Sequence, residues 1–73
     1  MEWQDYVEDR PDVMMGKAVL KETRITVEHV LEELGRGVTE MQLLASHPRL
    51  KPEHVRAACL YAAAVIGSEQ GVV

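Results

Sequence analysis

The chain has 73 residues, enough for one domain, and its 47% apolar and 27% charged residues are typical of a globular protein. The formal net charge of −4 counts against nucleic acid as the sole partner, because contacts to phosphate groups need positive charge. A single cysteine rules out a disulfide within the chain, and we find neither an apolar run of membrane-spanning length nor a signal peptide, so we expect a cytoplasmic protein without membrane contacts.

The N-terminal segment predicts a small β element. Its expected strands are Trp3–Val7, Val13–Met14 and Ala18–Leu20. Strands this short are unstable by themselves. We therefore expect them to pack on the helices or to pair with a second chain, with Trp3 and Tyr6 as core or dimer anchors.

The first predicted helix runs from Val27 to about Arg36. Thr26 precedes it and can cap its first amides, and Gly37 can close it in the left-handed conformation. Apolar residues recur at i, i+3, i+4 and i+7, which predicts one buried face. That face consists of Val27, Val30, Leu31 and Leu34.

The second predicted helix begins after Thr39, which forms a capping box with Gln42. Pro48 ends this helix because it disfavours the helical conformation of the preceding residue. The expected inner face is made of Met41, Leu44 and Ala45.

The third predicted helix begins near Pro52, a residue type favoured at the first helical position, and ends at Gly67. Its expected inner face consists of Val55, Cys59, Ala62 and Ile66. The single domain thus divides into a β element at 1–25, a three-helix core at 26–67 and a frayed tail at 68–73.

The predicted fold class is mainly α, with a three-helix core and short N-terminal strands. The connection from His47 to Lys51 between the last two helices has the length found in helix-turn-helix proteins. Many small helical bundles share this plan, so the spacing alone does not distinguish them.

A more specific pattern covers about Tyr6 to Ala64. Its matching blocks are Gly16-Lys17, Thr23-Arg24-Ile25, Val27, Pro48 and the Ala/Tyr-rich final helix. In these blocks the chain resembles the small-protein family named domain of unknown function 433. The resemblance implies a homeodomain-like helix-turn-helix core, a dimer, and the antitoxin half of a toxin–antitoxin pair that lies next to a PIN-type nuclease toxin.

Three residues depart from the family pattern: Ala18, Glu22 and His47. Glu22 stands where the family has a glycine before Thr-Arg. Because a left-handed conformation is unfavourable for glutamate, we expect a less tight bend here, with Glu22 outside the left-handed region.

The helix-turn-helix interpretation assigns DNA contacts to the third helix and its entry. Side chains on the outer face of this helix would meet the bases, and cations at its entry and in the β element would hold phosphates. The base-facing candidates are Glu53, His54, Arg56 and Ala57, and the phosphate candidates are Arg49, Lys51, Lys17, Lys21 and Arg24. Two alternatives remain open: the cations are solvated surface charges, and Arg24 bridges to Glu28 or Glu32.

We expect no enzyme, no cofactor and no metal site. The sequence has no pair of histidines or cysteines at zinc-binding spacing and no phosphate-binding glycine loop. Cys59 is interpreted as a small core residue.

The predicted function is therefore an antitoxin-like regulator that binds a PIN-type nuclease, with promoter DNA as a further partner, and that forms a homodimer through the N-terminal strands. The alternative is a protein-interaction module whose helix-turn-helix does not bind DNA. An acidic protein of this kind can cover a basic nuclease groove.

Overall fold

A three-stranded antiparallel sheet packs against three helices in the computed structural model of this chain. The structure describes residues 1–9 and 17–70, and for residues 68–70 it describes only the helical backbone. The strands are β1 (Val7–Asp9), β2 (Ala18–Leu20) and β3 (Ile25–Thr26), in the spatial order β1-β2-β3. The helices are α1 (Val27–Gly35), α2 (Glu40–Ser46) and α3 (Pro52–Gln70). The fold is thus mixed α/β: the predicted three helices and the predicted N-terminal β element are present, and the strands of that element pair in one antiparallel sheet.

The N-terminal strand predictions are partly confirmed. β2 has the predicted bounds, but Trp3–Asp5 forms a 3₁₀ helix, so the strand predicted at Trp3–Val7 is wrong. The amide of Tyr6 bonds to the carbonyl oxygen of Trp3 at 2.9 Å, which closes this turn, and β1 then starts at Val7. The strand predicted at Val13–Met14 lies outside the described residues.

The helix starts follow the local capping signals. The Thr26 hydroxyl accepts from the amide of His29 at 2.9 Å and begins α1. Both hydrogen bonds of the capping box between Thr39 and Gln42 are present at the start of α2. Gly37 has a φ of +96°, the left-handed conformation expected after the first helix.

The end of α3 lies beyond the predicted end. The helix continues through Gly67 to Gln70, whereas the sequence predicted a stop at Gly67. A glycine inside a helix costs only about 1 kcal/mol relative to alanine. That cost is too small to end a helix when no other residue type in the following turn opposes it.

All three helices contact one another around a small core. Its buried members are Leu20, Val27, Val30, Leu43, Leu50, Val55 and Ala58.

The inner faces predicted for the last two helices were partly wrong. Met41 is 80% exposed and Ala45 is exposed, because Leu43 is the residue through which α2 enters the core.

The same correction applies to α3. Cys59 is exposed rather than a core residue, and Ile66 is 51% exposed. The 3₁₀ helix and β1 pack against α3, with Trp3 edge-on to Tyr61 at 5.5 Å between ring centroids. Because of these contacts, the side of α3 that faces the rest of the protein is the one that carries His54, Ala58 and Tyr61.

Candidate nucleic-acid interface

The turn between β2 and β3 is tight. The amide of Thr23 donates to the carbonyl oxygen of Leu20 at 3.2 Å, and Glu22, the third residue of the turn, has a φ of 67°. A positive φ at the third position alone is the pattern of a type II turn, which favours glycine there. The expectation of a looser bend was therefore wrong: Glu22 adopts the left-handed conformation that the family's glycine would adopt without strain.

Thr23 holds this turn from inside. Its buried hydroxyl donates to the Leu20 carbonyl oxygen at 2.7 Å and accepts from the amide of Ile25 at 2.9 Å. Arg24, which lies between Thr23 and Ile25 in the chain, also has a positive φ, of 61°. The two hydroxyl bonds account for the persistence of two unfavourable backbone conformations in one short turn.

His54 fastens this turn to the start of α3. Its Nδ1 accepts from the amide of Lys51 at 3.0 Å, and its Nε2–H donates to the carbonyl oxygen of Lys21 at 3.1 Å. Since a backbone amide only donates and a carbonyl only accepts, the ring is in the neutral tautomer with its proton on Nε2. The ring of Tyr6 packs edge-on against it at 5.7 Å between centroids.

Two residues of the predicted base-contacting face point inward. His54 is 5% exposed and Ala57 is fully buried, so the prediction that they lie on the outer face of the third helix was wrong. The physical reason is the packing of the Lys21 turn and Tyr6 on this side of α3. Arg56 is exposed and Glu53 half-buried on the outer side of the helix.

Four of the predicted phosphate-binding cations lie at the same end of the molecule. We call this surface the basic end; it consists of Lys21, Arg24, Arg49 and Lys51. Lys21 and Arg24 belong to the β2–β3 turn, and Arg49 and Lys51 belong to the α2–α3 connection. The hydrogen bond between His54 and Lys21 holds these two segments close together, and residues of both line two surface depressions. One depression is lined by Thr23, Ile25, His47, Pro48 and Arg49, and the other by Glu22, Pro48, Arg49, Lys51 and His54.

The cations of the basic end have no acidic partner within ion-pair distance among the described residues. Between residues of the described ranges, ion pairs form elsewhere: Lys17–Glu28, His29–Glu33 (when the histidine is protonated) and Arg36–Glu32. Glu22, which is exposed, lines one of the two depressions, and Glu53 lies in the first turn of α3. The basic end is therefore a cationic region on an acidic chain, suited to an anionic ligand.

Lys17 lies elsewhere, and Arg24 does not make the bridge considered for it. The Lys17 ammonium pairs with the Glu28 carboxylate at 3.0 Å at the start of α1. This contact lowers the pKa of Glu28, first through the hydrogen bond that the Lys17 ammonium donates and then through its positive charge. Because Glu32 pairs with Arg36, both proposed acidic partners of Arg24 are occupied by other cations.

A groove that sequence reasoning missed lies at the other end of α3. It has a volume of about 590 Å³ and runs between α1, β2 and the C-terminal half of α3. Its apolar lining residues are Ala18, Val27, Leu31, Tyr61, Ala62, Val65 and Ile66, beside Lys17, Glu28 and Glu32. The signal available in the sequence was the absence of charged residues from Ala57 to Gly67, since a helix that is apolar all round is normally covered.

Within the described ranges, 1–9 and 17–70, no cluster of three or more His, Cys, Asp and Glu residues is arranged to hold a metal ion. None of the described helices is long and apolar enough to cross a bilayer.

Comparison with known proteins gives a family match. The family model described as "Protein of unknown function (DUF433)" matches residues 7–62, a span that includes the basic end and most of the groove. No curated protein and no solved structure matches the chain.

Proposed function

The chain belongs to the DUF433 family of proteins of unknown function, and from this premise we propose that it is an antitoxin-like regulator that binds a PIN-type nuclease and promoter DNA. In this proposal the three helices form a homeodomain-like helix-turn-helix, with α3 as the recognition helix. The nuclease partner follows from the family resemblance, and the protein acts in the cytoplasm.

One observation carries the DNA part of the proposal: the basic end lies at the start of α3 with its four cations unpaired by described carboxylates. In helix-turn-helix proteins the N-terminal part of the recognition helix enters the major groove, and cations around it hold the backbone. Arg56, exposed one turn into α3, can reach a base edge from this position.

The experiment is an electrophoretic shift assay with the DNA upstream of the protein's own gene, with and without the product of the adjacent gene. We expect binding that weakens steeply as the salt concentration rises, because each phosphate contact releases counterions. Absence of salt-sensitive binding in both conditions would exclude DNA as a ligand. Co-purification with the adjacent gene product tests the nuclease partner separately.

A second candidate function is a protein-interaction module with a helix-turn-helix that no longer binds DNA. The burial of His54 and Ala57 favours it, because both are withdrawn from the face that would read bases. Glu53 on the remaining face repels phosphate. This candidate predicts co-purification with a protein partner and no shift of the upstream DNA.

We further propose a homodimer that forms through the N-terminal strands. β1 lies at one edge of the sheet in the order β1-β2-β3, and an edge strand is the place where a sheet can pair with a second chain. Sedimentation analysis of the wild type and of a Val7→Pro variant tests this proposal. Proline removes an amide donor, so the variant should be monomeric if β1 forms the dimer contact.

A further inference from the structure

The groove between α1 and α3 leaves apolar surface exposed. Ile66 is 51% exposed and Val65 is 40% exposed, both on the wall of the groove that α3 provides. Val27 and Leu31 of α1 and Tyr61 of α3 also line the groove. A contiguous apolar groove of this kind on a small protein typically marks a contact site.

Charges flank this groove on one side. Glu28 and Glu32 stand one helical turn apart on α1 and both line the groove, with exposed side chains. Each is held by a single cation, Glu28 by Lys17 at 3.0 Å and Glu32 by Arg36 at 3.5 Å. Exposed ion pairs of this kind contribute little to stability, so a cation from a ligand can replace either partner at small cost.

These charges discriminate between two possible occupants. A second copy of this chain would bring its own α3, but from Ala57 to Gly67 that helix carries no charged residue. It would cover the apolar lining and leave both carboxylates without a new partner. A helix with apolar residues on one face and lysine or arginine beside them would satisfy both parts of the groove.

We propose that the groove between α1 and α3 binds an amphipathic helix of a partner protein, with apolar anchors at i, i+3 or i+4 and i+7, and with Lys or Arg next to the anchors facing Glu28 and Glu32. The inference rests on the proposed function, since it names the segment through which the protein partner is bound. The groove and the basic end lie on opposite ends of α3, so both ligands can bind together.

The probe is a synthetic amphipathic helix of about 16 residues with leucine anchors and flanking lysines, compared with a peptide in which glutamates replace the lysines. We measure binding by fluorescence anisotropy and map it with amide chemical shifts. The basic peptide should shift amides of α1 and of the C-terminal half of α3. The acidic peptide should bind at least about tenfold more weakly, since it faces two carboxylates.

Matched variants localise the binding. Ile66→Glu places a charge in the groove, and Met41→Glu places the same charge on α2, where the side chain is 80% exposed and does not line the groove. Ile66→Glu should weaken binding of the basic peptide about tenfold or more, and Met41→Glu should leave it unchanged. The double variant Glu28→Gln, Glu32→Gln should remove the preference for the basic peptide.

Three outcomes would overturn the inference. The first is equal binding of both peptides, and the second is an equal effect of Ile66→Glu and Met41→Glu on binding. The third is a wild-type dimer that Ile66→Glu dissociates, which would assign the groove to a second copy.

The proposed function can fail separately. If the adjacent gene product does not co-purify while the basic peptide binds the groove, the groove inference stands and the antitoxin proposal fails. If that product binds the Ile66→Glu variant as tightly as the wild type, the inference fails and the antitoxin proposal stands.

Discussion

His54 donates its Nε2 hydrogen to the carbonyl oxygen of Lys21 across a 3.1 Å hydrogen bond that joins positions 33 residues apart. The same ring accepts the amide hydrogen of Lys51, so one buried side chain connects the β2–β3 turn, the helix entry and α3. The basic end exists because of this connection, since it sets the cations of the turn beside those of the α2–α3 connection.

Replacing His54 with alanine should lower the free energy of unfolding by about 3 kcal/mol, because it removes the partner of two part-buried backbone groups, the Lys51 amide and the Lys21 carbonyl, and leaves a cavity where the buried ring stood. Urea denaturation followed by circular dichroism measures this loss. His29→Ala is the control, since His29 is exposed and should change stability by less than about 0.5 kcal/mol. Equal stability of the two variants would show that His54 does not hold the turn.

Glu22→Gly should stabilise the protein by about 0.5–1 kcal/mol, because glycine adopts the left-handed conformation without the strain that glutamate bears. Thermal unfolding measures the gain. The control Glu22→Ala removes the same carboxylate but keeps a β-carbon, so it should give no gain. If both variants raised the melting temperature equally, the effect would come from charge and not from the backbone.

Thr23→Val should destabilise the protein by about 2 kcal/mol, since it removes the buried hydroxyl that accepts from the Ile25 amide and donates to the Leu20 carbonyl oxygen. Thr23→Ser keeps the hydroxyl and should be much less destabilised. Chemical denaturation of both variants under the same conditions tests the difference. A serine variant as unstable as the valine variant would assign the role of Thr23 to its methyl group.

The ion pair between Lys17 and Glu28 should be visible as a lowered pKa of Glu28 in an NMR titration. A lowered pKa in the folded state means that the pair contributes to stability above the usual glutamate pKa and that the contribution disappears as the pH falls through the lowered value. Lys17→Met should raise the pKa of Glu28 towards its usual value. Arg24→Met is the control and should not change it, because Arg24 does not pair with Glu28.

If the protein binds DNA, the double variant Arg49→Ala, Lys51→Ala should weaken binding and reduce the slope of log K against log salt by about 0.9 for each phosphate group that is no longer neutralised. Lys17→Ala removes a cation that lies outside the basic end and should keep the wild-type slope. Filter-binding or anisotropy titrations at several salt concentrations provide the slopes. An equal change in both variants would indicate a diffuse charge effect.

Local signals in the sequence predicted most element boundaries. Thr26, the capping box of Thr39 and Gln42, and Pro52 act on backbone amides within a few residues, so their effect can be recognised without knowing the rest of the fold. The predicted bounds of β2 are also confirmed. By contrast, the 3₁₀ helix at Trp3–Asp5 depends on its packing against α3, which no local pattern reveals.

The candidate site was only partly predictable for the same reason. The sequence identifies the cations at positions 21, 24, 49 and 51 as phosphate candidates, but their convergence depends on His54, for which the helix-turn-helix pattern predicts an outward-facing role. Its buried state follows from contacts with Lys21 and Tyr6, residues distant in the chain.

The amino-acid sequence by itself determined the three helices, the second strand and the family to which the chain belongs. Tertiary structure alone decided which side of α3 is buried. From Ala57 to Gly67 the helix has no charged residue, so its pattern does not distinguish an inner from an outer face. The orientation is decided by the turn, Trp3 and Tyr6, which pack against one side, bury His54 and Ala57, and leave Cys59 and Ile66 exposed.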